Sequence, residues 1–168
     1  MRKLNYGNRG KAFEDLLDYT NLIYKNKGIA LINKRPTPVR ILRTRGGRIT
    51  QATFDTKSTV DYDGIYQGRS IVFEAKSTNG KSLPLSNITK EQENYLDDAE
   101  KHGAISFLIV HMKELNKTYV VTNKLLQNYL KRALNDGRKS ISLKDMEDDC
   151  VEVKNNNGVP LDYLKGVN

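Results

Sequence analysis

Cysteine is almost absent from this chain. The one thiol, Cys150, excludes an internal disulfide and a thiolate metal cage, and so points to a reducing cytoplasm. Long apolar runs are also absent. The longest, AISFLIV (104–110), has the length of a strand, whereas a bilayer-spanning helix needs about 20 residues. The first 20 residues hold three acids and no apolar core of a secretory signal, so no membrane role is expected. No internal repeat, low-complexity stretch or linker divides the 168 residues, and a single domain over 1–168 is expected. The Walker pattern and the serine elbow are missing, and His102 and His111 lack zinc-ligand spacing, so nothing points to a small-molecule substrate.

Acidic residues are missing from one long segment. Between Asp18 and Asp55 there are eight cations and no acid. Six of the eight, Lys34, Arg35, Arg40, Arg43, Arg45 and Arg48, fall in KRPTPVRILRTRGGR (34–48). Five of these are arginines, whose planar fork suits phosphate. Solvated faces usually mix signs. A one-sign run of this kind is best matched by nucleic acid; an anionic membrane, an acidic protein or plain surface are the weaker readings. Pro36 and Pro38 exclude helix at the start of this run. Val39–Thr44 and Ile49–Phe54 then predict two strands joined at Gly46-Gly47. That pairing sets Arg45 opposite Arg48, which is unfavourable unless an anion lies between them. Residues 36–58 are therefore expected to form a basic ribbon projecting from the core.

The rest of the chain predicts a mixed α/β sheet flanked by helices. Apolar residues from Phe13 to Tyr24 recur at helical spacing, giving a helix from about Asn8 to Lys27 that Gly28 stops. GIALINKR (28–35) predicts a short buried strand. Asp61–Tyr66 and Arg69–Lys76 predict a second hairpin, and NGKSLPLSN (79–87) a loop. Thr89 reads as an N-cap, with Gln92 at the third position after it, for a helix to about His102. Strands at Ala104–His111 and Lys117–Thr122, a helix at Asn123–Leu134 and a short one over 142–148 follow. Residues 154–168 are polar and partly irregular.

DYDGIYQGRSIVFEAK (61–76) carries the chemistry. With Gln67-Gly68 as a two-residue turn, Asp61 lies opposite Glu74 in a non-hydrogen-bonded pair, with Cα atoms roughly 4.5 Å apart. Glu74 and Lys76 leave the same face of their strand. Two carboxylates about 4 Å apart repel by about 4 kcal/mol at an effective dielectric of 20. A proton, Lys76 or a divalent cation must offset this, and Mg²⁺ commonly uses one or two carboxylates. A three-residue loop with a bulge at Gly68 would shift the register by one. A surface salt bridge is the plain alternative, but Ile71, Val72, Phe73 and Ala75 make this a core strand, where unpaired charge is costly. Glu14 lies beside the apolar face of helix one and either points at the sheet or is solvated. Gln92 is either a capping residue or part of the site.

These residues resemble the RecU family of Holliday junction resolvases. The likeness rests on NRGKAFEDLLDYTN (8–21), KRPTPV (34–39), STVDYDGIYQGRSIVFEAKST (58–78), LPLSNITKEQ (83–92), GAISFLIV (103–110), DGRKSI (136–141) and LDYL (161–164). It implies a restriction-endonuclease-like fold and a homodimer that cuts four-way DNA junctions with Mg²⁺ or Mn²⁺. It further implies that Asp61, Glu74 and Gln92 bind the metal; on the mechanism this suggests, Glu14 would contact a second metal ion. Lys76 would stabilise the transition state, Arg9 and Lys34 would touch DNA, and 36–58 would be the stalk that enters the junction. Val60 stands where the family usually has Thr, so a hydroxyl is missing unless Thr59 or the Val60 carbonyl substitutes. A restriction-like nuclease on linear duplex and a non-catalytic junction-binding module are the alternatives.

Overall fold

The structure, a computed structural model, describes residues 10–54, 59–135 and 137–167. Arg9 and residues 55–58 lie outside the described residues. The first helix, α1 (Lys11–Asn26), starts three residues later than its periodicity suggests, after Gly10, which offers no side-chain cap. Its buried face carries Phe13, Leu17, Thr20, Asn21 and Tyr24. Gly28, at φ +66°, lets the chain turn into β1 (Ala30–Lys34).

The ribbon strands β2 (Val39–Arg45) and β3 (Arg48–Phe54) pair with each other alone, outside the main sheet. Next come β4 (Tyr62–Tyr66), β5 (Arg69–Thr78), the short β6 (Ser82–Pro84) and α2 (Lys90–Lys101). They are followed by β7 (Ile105–Met112), β8 (Lys117–Thr122) and α3 (Asn123–Leu134). The last elements are β9 (Ser140–Ser142), α4 (Leu143–Asp149) and β10 (Val151–Glu152). The central sheet runs β1-β4-β5-β7-β8-β10. Only β5 and β7 pair in parallel within it, so it is the expected mixed sheet.

Alternation along β5 sorts the two cores. Phe73 stacks between Tyr62 and Phe107, at 4.8 and 4.9 Å between ring centroids, on the face that α1 covers. Val72 points the other way, into a core shared with Leu96 of α2, Leu126 of α3 and Met146 of α4. Glu74 and Lys76 follow Val72 on that second face, where the period of two places them.

Two segments differ from expectation. Residues 79–87 are not simply a loop, because Ser82–Pro84 pairs antiparallel with Ser140–Ser142. A three-residue strand has no periodicity of its own, and its partner lies far along the sequence. The polar C-terminal stretch holds core residues as well: Val159, Leu161, Tyr163 and Leu164 are buried against α1. Tyr24 donates to Asp162 at 2.9 Å, and Tyr163 donates to Asn21, tying the segment down.

The cap of α4 gives a pH-dependent stability. Asp145 accepts from the Ser142 N–H at 2.7 Å and from Arg132 at 2.9 Å. Burial pushes its carboxyl up, but the Arg132 and Ser142 hydrogen bonds outweigh this and hold it well below the usual carboxylate range. A depressed folded pKa means stability present at neutral pH and lost as pH falls below the usual carboxylate range. Asp145→Asn is expected to cost about 1–2 kcal/mol at pH 7. Urea unfolding should show this difference shrinking as pH is lowered from 5 to 2.5. A constant difference would show that the charge contributes nothing.

Candidate active site

The site forms at one end of the β4–β5 hairpin. Tyr62 faces Phe73 and Tyr66 faces Arg69, the register in which Asp61 comes opposite Glu74. The turn is the two-residue one, with Gln67 at φ +50° and Gly68 at φ +75°. Positive φ at both positions matches the right-handed twist of the strands, and the cost at Gln67 is accepted for it. Gly64 is required for a different reason: a Cβ there would lie 2.1 Å from the Leu31 carbonyl oxygen, so only glycine lets β1 sit against β4.

Asp61 is held from two sides. Its carbonyl accepts from the Arg35 N–H at 2.8 Å, and its Oδ2 accepts from the Ala75 N–H at 3.0 Å. Within a strand the N–H and C=O of one residue point to the same edge. The Ala75 carbonyl therefore faces the side where Asp61 sits, past the end of β4.

Glu74 is 2% exposed. Its Oε1 accepts from Lys76 Nζ at 2.7 Å and from Gln92 Nε2 at 2.6 Å. Its Oε2 is buried and has no hydrogen-bond partner. Burial pushes the Glu74 carboxyl up to about 7; the Lys76 charge opposes this and Asp61 adds to it. A buried carboxylate oxygen without a donor costs free energy unless something positive meets it. Gln92 plays both parts that its sequence position allows. Its Oε1 accepts from the Thr89 N–H at 3.0 Å in the capping box of α2 and from Lys76 Nζ at 3.1 Å, while its amide nitrogen serves Glu74.

The donor set fits a hard divalent cation. Asp61, the unpartnered Glu74 Oε2 and the Ala75 carbonyl offer oxygens only, two of them carboxylates, which matches the chemistry of Mg²⁺ or Mn²⁺. Glu14 does not join them. Among the described residues no three His, Cys, Asp or Glu side chains converge where an ion could sit. The Glu14 carboxylate instead binds Lys34 at 2.6 Å.

Lys34 and Arg35 are likewise engaged by the protein itself. Lys34 has Glu14 at 2.6 Å and Asp18 at 3.9 Å. Burial pulls its ammonium down, and Glu14, Asp18 and Asp61 more than offset this, holding it above the ordinary lysine value. Arg35 reaches Thr59, Asp63 and the Tyr95 ring. The Thr59 hydroxyl is thus the acceptor of an arginine, and Val60 is fully buried in the α2-side core. In the ribbon, Arg43, Arg45 and Arg48 are exposed, and Arg45 faces Arg48 as the pairing predicts. Arg40 is exposed on the same ribbon. Sequence reasoning missed the ribbon's other character. Val39, Ile41, Leu42, Ile49 and Phe54 are all about half exposed or more, and Phe54 reaches 75%. Their alternation in a strand pattern resembles a core face. A groove of about 690 Å³ lined by Leu85, Ser86, Lys90, Leu130, Ala133 and Leu134 contains none of the site residues.

A mixed sheet with helices on both faces, and two acids and a lysine at the end of its central hairpin, defines the restriction-endonuclease-like class of α/β proteins. The family model described as "RecU: Recombination protein U" matches residues 8–168, and the chain belongs to that family. Among its relatives, a protein of Pediococcus pentosaceus is 38% identical over 96% of this chain and 84% of its own. One of Geobacillus sp. strain WCH70 is 40% identical over 85% of this chain and 74% of its own. One of Geobacillus kaustophilus is 38% identical over 95% of this chain and 80% of its own. All three are called Holliday junction resolvase RecU.

Proposed function

We propose that this chain is an endonuclease that resolves four-way (Holliday) DNA junctions by metal-dependent phosphodiester hydrolysis. The observation that carries the reading is the buried Glu74 Oε2 without a donor, beside Asp61 and Lys76. The resolvase names of its relatives and the exposed arginine ribbon support the substrate. Asp61, Glu74 and the Ala75 carbonyl would hold Mg²⁺ or Mn²⁺. When bound, the ion supplies Lewis-acid polarisation of the phosphodiester and a more acidic water.

The chain's own groups do the rest. Lys76 keeps its ammonium between Glu74 and Gln92, so a positive charge stands where the non-bridging phosphate oxygens gain charge. Gln92 fixes Glu74 and Lys76 together and is itself fixed by the α2 cap. With both ends of its amide used by Thr89, Lys76 and Glu74, Gln92 organises the metal ligands, and Arg40, Arg43, Arg45 and Arg48 take phosphates as the ribbon of the 36–58 stalk enters the junction. Resolution needs two cuts on opposed strands, and one chain carries one such site. The active form is therefore a homodimer, working in the cytoplasm where the DNA is.

The test compares a four-way junction with its linear duplex arms at equal salt, in Mn²⁺, in Mg²⁺ and in EDTA. Paired nicks near the branch point of the junction alone, and none in EDTA, are expected. Equal cutting of linear arms would make the chain a restriction-like duplex nuclease instead. Binding without cutting in either metal would make it a junction-binding module.

A further inference from the structure

Arg35 stands in the basic run that reads as a phosphate-binding stretch, yet its side chain is only 34% exposed and already meets a hydroxyl, a carboxylate and an aromatic ring. We infer that Arg35 is a positioning residue that fixes Asp61 and ties it to the base of the ribbon. The inference rests on the reading above for what Asp61 does.

Four contacts carry it. The Arg35 N–H donates to the Asp61 carbonyl at 2.8 Å. One terminal nitrogen donates to Thr59 Oγ1 at 2.6 Å, and Nε lies 3.3 Å from Asp63 Oδ2. The guanidinium sits over the Tyr95 ring, 5.3 Å from its centroid. Thr59 and Asp63 flank Asp61 by two residues on either side. Tyr95 lies one turn along α2 from Gln92. A single side chain thus grips both shoulders of Asp61 and the helix that carries Gln92.

Position explains why such a grip is needed. Asp61 precedes the first paired residue of β4, so the hairpin ladder itself does not hold it. Among the described residues its backbone support on the β1 side comes from Arg35, the residue just after β1. Pro36 follows at once and starts the outgoing leg of the ribbon, while Thr59 belongs to the returning leg. The Arg35–Thr59 hydrogen bond therefore joins the two legs at their base. Only arginine meets these demands together. Its fork donates in-plane to a hydroxyl and a carboxylate while its flat face stacks on the tyrosine; a lysine ammonium has no face to stack and no fork. The Arg35 charge is already matched by Asp63 at 3.3 Å.

The experiment uses the full chain with Arg35→Lys, Arg35→Gln and Thr59→Val, and Arg43→Ala as the contrasting ribbon variant. Three quantities are read: Mn²⁺ affinity by calorimetry without DNA, junction affinity in EDTA across a salt series, and single-turnover junction cleavage across a Mn²⁺ series. For both Arg35 variants, Mn²⁺ affinity should fall about 10- to 100-fold. Cleavage at low Mn²⁺ should fall with it and recover as Mn²⁺ is raised. Junction affinity in EDTA and its salt slope should stay as in wild type, whereas Arg43→Ala should lower the slope by about 0.9. Thr59→Val should move Mn²⁺ affinity in the same direction by less, and stands in if an Arg35 variant does not fold. A salt slope reduced in the Arg35 variants, with Mn²⁺ affinity unchanged, would overturn the inference and make Arg35 a phosphate contact. Wild-type chain that binds Mn²⁺ but leaves junctions uncut would sink the nuclease reading alone, since the Mn²⁺ titrations still judge Arg35.

Discussion

Glu74→Gln is expected to lower junction cleavage on the order of a thousandfold while leaving junction binding in EDTA unchanged. The substitution keeps the volume and preserves an acceptor for Lys76 and Gln92, which now meet at Glu74 Oε1. What it removes is the negative charge on the buried Oε2, the atom that no donor satisfies. A cation that binds only the folded chain stabilises it by about 2.7 kcal/mol at a hundred times its dissociation constant. Saturating Mn²⁺ should therefore raise the melting temperature of the wild-type chain but not of Glu74→Gln or Asp61→Asn. Lys76→Met separates the roles. It removes the charge that faces the phosphate but leaves both carboxylates, so Mn²⁺ should still raise its melting temperature while cleavage falls by about 10²–10³. If Glu74→Gln cuts junctions at the wild-type rate, Asp61 and Glu74 are a structural pair and not a metal site.

Local chemistry makes much of this legible in the sequence. The hairpin register follows from one turn and from apolar alternation, and Tyr62 meets Phe73 as the count from Gln67-Gly68 requires. The α2 cap follows from Thr89 and Gln92 alone. What the sequence leaves open is which of two local roles a residue takes, and Gln92 takes both because an amide has a donor end and an acceptor end. The partners of the basic run were invisible for a different reason. No acid lies near Lys34 in sequence, but Glu14 and Asp18 reach it from α1, and Asp63 reaches Arg35 from β4. Charge counted along a chain cannot show neutralisation that arrives from another element. The β6–β9 pair escaped similarly, since its two short strands are far apart in sequence.

Lys34 and Arg35 already face acids of α1 and β4, while Arg43, Arg45 and Arg48 stand farther out, exposed on β2 and β3. Arg45 faces Arg48 across the Gly46-Gly47 turn, where like charges cost free energy without an anion between them. Register shifts at Leu42 and Thr50 twist the ribbon between its base and that tip. Nothing in the sheet needs this device: both strands are exposed along their whole length. A phosphate at the tip removes the repulsion and releases counterions at once. Each neutralised phosphate steepens log K against log salt by about 0.9. Replacing Arg43, Arg45 and Arg48 together by Ala should therefore flatten the slope for junction binding by about 2 to 3, and weaken binding at 0.1 M salt on the order of a hundredfold. Mn²⁺ stabilisation of the free chain should be untouched, because the site at Asp61 and Glu74 keeps all its groups. A triple variant with the wild-type salt slope would show that the ribbon stands clear of DNA, and the junction would then have to be gripped elsewhere on the molecule.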